Sequence, residues 1–315
     1  MRIWLVGFGT VGRWLARALE SHDATVVGVA NARDGFAYHP DGLDLRFLLE
    51  GGSIAELPGV SRWPSAIEGL RATEADLLVE VTASPADGEP GYAHMREALD
   101  RGIPAVTSNK WPVALHGVEL DELARRRGVP FRAESTVMSG TPVLSALVEG
   151  LAGAVPLGLR GILNATVNFI LTRMACGESY EEALAEATRA GLAERDPAAD
   201  VEGHDAVAKV MILSALVFGR QLGREQVTCR GITDVEPGVE RLKHVATLDS
   251  EVARVEPEVV PPDDPLARIE GTTNVLVCRA RPVGEVTIAG PGAGPELAGQ
   301  GVLSDLIAVS RYLES

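Results

Sequence analysis

The chain has 315 residues, which on length alone suggests two domains of about 150 residues each. Its 46% apolar and 23% charged residues are ordinary for a globular protein and exclude wholesale disorder. Asp and Glu number 44 against 29 Lys and Arg, a net charge of −15 with no basic run. No nucleic-acid partner is therefore expected, because that affinity comes from cations neutralising phosphates.

Up to about residue 134, short β-rich runs alternate with helical stretches. Strands are expected at 3–6, 25–30, 77–81, 105–107 and 129–133, with helices at 11–20, 92–101 and 118–127. That alternation predicts βαβ units and an α/β fold, a Rossmann-type doubly wound parallel sheet. From Thr141 the pattern changes to a helix at 142–150, a strand near 159–163 and helices at 168–176, 180–190 and 203–219. The stretch 236–265, rich in Pro, Glu and Val, reads as loop punctuated by Val259-Val260-Pro261-Pro262. Strands at 273–279 and 286–289, the run Gly290-Pro291-Gly292-Ala293-Gly294 and a helical tail from 299 to 312 complete the chain.

No apolar stretch reaches the roughly 18 residues that a bilayer span needs, so no membrane partner is expected. Cys176, Cys229 and Cys278 lie far apart and form no CxxC, which fits a reduced, cytoplasmic protein with a small-molecule partner.

Gly7-Phe8-Gly9-Thr10-Val11-Gly12 follows the first strand and opens a helix. Glycines there permit a tight turn, let backbone approach a pyrophosphate, and allow close helix–strand packing. The helix N-terminus then attracts the phosphates, which lets an acidic protein hold an anionic cofactor. The competing reading is a tight turn and nothing more. Cofactor choice is read at the end of the second strand, where an acid favours NAD by binding the ribose 2′-hydroxyl. Here Asn31 and Arg33 tilt the reading towards NADP, with Asp34 close by. Thr82, Ser108 and Lys110 stand at later strand ends, which line the ligand crevice in such sheets.

The segment 191–209 crowds acids into a loop and then enters a helix that is apolar nearly all round. Asp205 and Lys209 are four apart on that helix and so share a face. Buried charges are rare unless paired, so the two form either a structural ion pair or a proton-transfer group tuned by burial.

Taken together and in order, the glycine turn, Thr107-Ser108-Asn109-Lys110, the 134–142 and 161–171 blocks, the Glu194…Asp205…Lys209 segment and Gly290–Gly294 resemble the homoserine dehydrogenase family. The resemblance implies NAD(P)-linked interconversion of L-homoserine and L-aspartate 4-semialdehyde, with NADP or NAD as cofactor. It implies a dinucleotide-binding domain of residues 1–134 plus 287–315 and an α+β substrate-binding and dimerisation domain of residues 135–286. Lys110 and Lys209 match the family's active-site lysines, with Asp205 beside them as a catalytic carboxylate. Glu194, Asp200, Asn164 and Thr166 match its substrate site. Gly7, Gly9, Thr10, Val11, Gly12, Asn31, Arg33, Thr82, Ser108, Gly292 and Gly294 fall at cofactor positions. Glu134, Val137, Ser139 and Thr141 match a segment that binds a monovalent cation, and a homodimer is implied. The chain stops about where the family's catalytic portion ends, so no C-terminal ACT domain is expected.

Two departures bear on substrate. Ala165 replaces a glycine of the family pattern, costing roughly 1–2 kcal/mol if that position needs positive φ, and Leu297 replaces a threonine. They keep open a related oxidoreductase acting on a different small hydroxy or amino compound, or a non-catalytic dinucleotide-binding sensor.

Overall fold

The computed structural model describes every residue except Ser84, Glu194, Arg195 and Ser315. It divides into two units, Met1–Gly140 with Gly294–Ser315, and Thr141–Ala293. Both divisions fall a few residues later in the chain than the sequence suggests.

The first unit is built on a seven-stranded sheet: β1 (Arg2–Val6), β2 (Thr25–Asn31), β3 (Gly35–Tyr38), β4 (Ser61–Trp63), β5 (Leu77–Glu80), β6 (Ala105–Thr107) and β7 (Phe131–Arg132). The order is β4-β3-β2-β1-β5-β6-β7. Successive residues of β1 are buried on opposite faces, which is why the strand reads as an unbroken apolar run. Ile3 and Leu5 pack with Leu15, Val302 and Leu306 on one side. Trp4 and Val6 pack with Leu70, Met95 and Leu120 on the other. The first group includes residues of helices Thr10–Ala18 and Pro295–Leu313, the second of Ala66–Ala72, Gly91–Asp100 and Lys110–Arg127.

This is the doubly wound arrangement, with one difference. The strands from β2 through β7 by way of β1 run parallel, but β3 pairs antiparallel with β2 and β4. A tight turn after Asn31, closed by Gly35 at φ +75°, leaves no room for a crossover helix. Helix Lys110–Arg127 starts well before residue 118. Pro112 and a non-helical His116 at φ −133° interrupt the pattern that marks it in the sequence.

The second unit carries β8 (Val155–Ile162), β9 (Thr228–Cys229), β10 (Leu242–Asp249), β11 (Ala253–Val259), β12 (Thr273–Arg281) and β13 (Gly284–Pro291). Their order is β13-β12-β8-β10-β11-β9, antiparallel except for β9 beside β11. Residues 236–265 are thus not loop: they hold the β10–β11 hairpin. Where a helix is expected at 142–150, the chain forms a π-helical turn at Ala146–Gly150. Helix Ala165–Ala175 lies against β10 and β12, and His204–Phe218 against β10 and β11. Helix His204–Phe218 is bracketed by Gly203 and Gly219, both left-handed, and is buried from Ala206 to Ala215. Among the described residues, no helix is long and apolar enough to cross a membrane.

Candidate active site

In the second unit the structure gathers four of the residues singled out from the sequence. Lys209 is 6% exposed, deep in an apolar helix where a lone ammonium would be strongly disfavoured. Its Nζ lies 2.8 Å from Asp205 Oδ2 and donates to the Leu163 carbonyl at 2.6 Å. The pair follows from the sequence spacing, because residues four apart on a helix stack.

Asn164 is the hub of this cluster. As N-cap of helix Ala165–Ala175, its Oδ1 accepts from the Val167 N–H at 2.9 Å. Its Nδ2 donates to Asp200 Oδ1 at 2.7 Å and to Asp205 Oδ2 at 3.0 Å. One amide therefore fixes the helix end and orients two carboxylates. Thr166 Oγ1 donates to the Leu192 carbonyl at 2.9 Å and so ties the chain at Leu192 to helix Ala165–Ala175. Glu194, the remaining substrate-site candidate, lies outside the described residues. Ala165 is not strained: Ser139 and Arg241 are the non-glycine residues with positive φ among those described, and Ala165 begins a regular helix.

In the first unit the glycine turn combines close packing with open space. Gly7 sits at φ +107°, and a Cβ there would lie 2.5 Å from the Val81 carbonyl. A Cβ on Gly12 would fall 2.1 Å from the Gly7 oxygen, so the helix can approach the turn only without a side chain. Gly9 differs, since its Cβ would meet nothing within 4 Å. Gly9 and Thr10 are exposed at the head of the helix, with Val11 half-buried behind them.

The ends of β5 and β6 are stitched together by polar side chains. Glu80 is fully buried; it accepts from the Thr82 N–H at 3.3 Å and from the Thr82 hydroxyl. Thr107 Oγ1 donates to the Glu80 carbonyl at 2.8 Å and accepts from the Asn109 N–H at 2.9 Å. Asn109 Nδ2 donates to Thr82 Oγ1 at 3.2 Å and to the Ala83 carbonyl at 3.1 Å. This network fixes the backbone just before Lys110, the first residue of its helix, and holds half-buried Ser108 within the same bend. Asn109 is not among the site residues expected from the sequence, although an amide preceding a lysine at a strand end is a signal for it.

The segment proposed for a cation is clamped by the C-terminal helix. Asp305 Oδ2 accepts from the Glu134 N–H at 2.8 Å, and Ser135 Oγ donates to the Ala298 carbonyl at 2.9 Å. Val137 is buried, and Ser139 is held at φ +52°. Thr141 belongs to the second unit, where its hydroxyl donates to the Pro291 carbonyl at 2.9 Å. Among the described residues no group of three or more His, Cys, Asp or Glu could hold a metal. Of the other glycines, Gly292 is packed so closely on Asn274 that a Cβ would lie 2.0 Å from its Nδ2, whereas Gly294 caps the C-terminal helix.

Residues 142–307 match the family model for homoserine dehydrogenase. The chain is 38% identical to an NAD(+)-dependent homoserine dehydrogenase from Pseudomonas canavaninivorans, over 98% of this chain and 96% of that one. It is 36% identical to a homoserine dehydrogenase from Methanocaldococcus jannaschii, over 98% of each chain. The solved structure of a hyperthermophilic archaeal homoserine dehydrogenase in complex with NADPH superimposes with a TM-score of 0.87 at 30% identity, over 99% of this chain and 98% of that one. A family model matching more than half the chain, and relatives this similar over nearly its whole length, place it plainly: the chain belongs to the homoserine dehydrogenase family.

Proposed function

We propose that this protein is an NAD(P)-dependent oxidoreductase that interconverts L-homoserine and L-aspartate 4-semialdehyde. The observation that carries the reading is the buried Lys209–Asp205 pair, oriented with Asp200 by the single amide of Asn164. A non-catalytic sensor has no use for an ammonium sunk into an apolar helix beside two aligned carboxylates.

The first unit fits a dinucleotide. Gly9 faces open space at the head of a helix, while Gly7 and Gly12 are closely packed behind it. Hydride supply and uptake would fall to a nicotinamide dinucleotide held by this unit. The rest of the chemistry falls to the protein's own side chains. Lys209 gives a proton to the carbonyl oxygen in the reductive direction and takes it back from the hydroxyl in the oxidative one. Asp205 and the Leu163 carbonyl hold its Nζ in place. Asp200, together with Glu194, offers negative charge for the substrate's α-ammonium. Lys110, the first residue of helix Lys110–Arg127 in the first unit, is the second proton-transfer candidate.

A monovalent cation is proposed at Glu134, Val137 and Ser139. Buried Glu134 and Asp305 leave two acids close together there, with Arg132 donating to Asp305 at 3.3 Å. A homodimer and a cytoplasmic setting complete the reading.

The test is NAD(P)H absorbance with purified protein and L-homoserine, then with a panel of hydroxy and amino acids. Turnover of homoserine supports the proposal, and turnover only of other compounds replaces its substrate. Nucleotide binding with no turnover would turn the reading to a sensor.

A further inference from the structure

At the carboxyl end of β2, Asn31 and Arg33 are the residues that favour a 2′-phosphate in the sequence. Folding uses them differently. Asn31 Oδ1 accepts from the N–H groups of Arg33 at 2.9 Å and Asp34 at 2.6 Å, closing an Asx turn. Its Nδ2 donates to Asp34 Oδ2 at 3.0 Å, and Ser53 Oγ donates to the same oxygen at 3.1 Å. Asn31 foremost, then Ser53, the Arg33 charge and the Ile54 backbone, hold the Asp34 carboxyl below the usual carboxylate range against the opposing effect of burial, so it is ionised at neutral pH. The Asp34 side chain is 12% exposed, whereas that of Arg33 is 93% exposed and comes no nearer than 3.9 Å. The turn adjoins the glycine turn, because the Gly7 N–H donates to the Ala30 carbonyl at 2.9 Å.

Resting on the oxidoreductase reading above, we infer that Asp34 is the ribose-reading acid, displaced beyond the strand end, and that it selects NAD over NADP. A carboxylate has about four acceptor positions, and its direction here is set by donors from two separate segments. That leaves capacity for a ribose 2′-hydroxyl, which donates a hydrogen bond at no cost in charge. A 2′-phosphate brings about −1.5 to −2 charges and only acceptors against a carboxylate that is held in place. Arg33 could answer that charge only by giving up the freedom of a fully solvated side chain.

The experiment is fluorescence titration of the purified protein with NADH and with NADPH, without substrate. NADH is expected to bind at least tenfold more tightly. Asp34→Ser should tighten NADPH and narrow the ratio by tenfold or more, and Ser53→Ala, which frees the carboxylate to turn, should narrow it by about threefold. A gain of NADPH affinity cannot come from misfolding. If Asp34 only caps the turn, Asp34→Ser weakens both nucleotides alike and the ratio stays put, which overturns the inference. Equal affinities in the native protein overturn it too. Binding of neither nucleotide by a protein with an intact thermal transition sinks the oxidoreductase reading, and this inference falls with it.

Discussion

The glycine turn after β1 presents backbone and open space, whereas the Asn164–Lys209 cluster presents charged side chains sealed among apolar ones. The first needs atoms to be missing: a Cβ on Gly12 would strike the Gly7 oxygen, and one on Gly9 would point into empty room. The second needs atoms to be present and paired, with Lys209 and Asp205 each about a tenth exposed at 2.8 Å. Phosphates are bound well by backbone N–H groups at a helix end, so the proposed phosphate site can be made from conformation. Moving a proton requires a titratable group in a fixed place, so the proposed proton-transfer site must be made from side chains whose charges burial makes costly. The two regions should therefore fail in different ways.

The largest expected effect is at Lys209. Lys209→Ala should lower kcat by about 10²- to 10⁴-fold, the usual size of a lost proton-transfer group, while NADH affinity measured by fluorescence is unchanged. The same change leaves Asp205 buried without its partner, so stability should fall by about 3 kcal/mol. Asp205→Asn keeps the hydrogen-bonding shape and should lose turnover with a smaller loss of stability. Near-normal kcat in either variant would make the pair a structural ion pair and erase the contrast.

The glycine turn should behave the opposite way. Gly12→Ala forces a Cβ against a backbone oxygen that cannot swing aside, and should destabilise the protein by about 3 kcal/mol. Gly9→Ala has room and an unstrained φ of −85°, so the melting temperature should stay native. NAD(P)H affinity should nevertheless drop about tenfold, with kcat retained at saturating nucleotide. Native affinity in Gly9→Ala would mean that no phosphate lies over that turn.

The same contrast explains what could be read in advance. The glycine turn, β1 and helix His204–Phe218 announce themselves because their signals are local: a spacing of glycines, an apolar run, two charges four apart on a greasy helix. The β10–β11 hairpin does not. Pro257 sits in β11, and proline inside an apparent strand argues against one. It is tolerated because β9 pairs only with Arg254 and Val255, so at Pro257 β11 is an edge. The β2–β3 hairpin is hidden for a related reason: β3 is only four residues long, and the turn before it is braced by Ser53, 19 residues beyond Asp34, which bonds the Asp34 carboxylate. In the Asn164–Lys209 cluster, the Leu163 carbonyl that receives Lys209 belongs to a strand end 46 residues away, and no spacing rule reaches that far.

The last expected effect, on stability alone, separates the units by pH. In the first, burial pushes the Asp305 carboxyl up from 3.8 to about 7, against the pull of the Glu134 N–H and Arg132. The folded state then holds that proton more tightly than the unfolded chain does. Its stabilising contribution is full below about 3.8 and is lost as pH rises through about 7. In the second unit, burial lowers buried His244 below its ordinary 6.5, while its Nε2–H donates to the Arg230 carbonyl at 2.9 Å. That contribution has the other sign: present above 6.5, it is lost as pH falls through the depressed value. Asp305→Asn keeps an acceptor for the Glu134 N–H but has no proton to lose. It should flatten the decline in stability between pH 5 and 8, recovering on the order of 2 kcal/mol at the alkaline end and leaving the acid limb alone. Denaturant midpoints at pH 5, 6.5 and 8 for the native chain and this variant decide it. If the variant declines with pH as steeply as the native chain, the alkaline loss comes from elsewhere and Asp305 is not the group that distinguishes the first unit from the second.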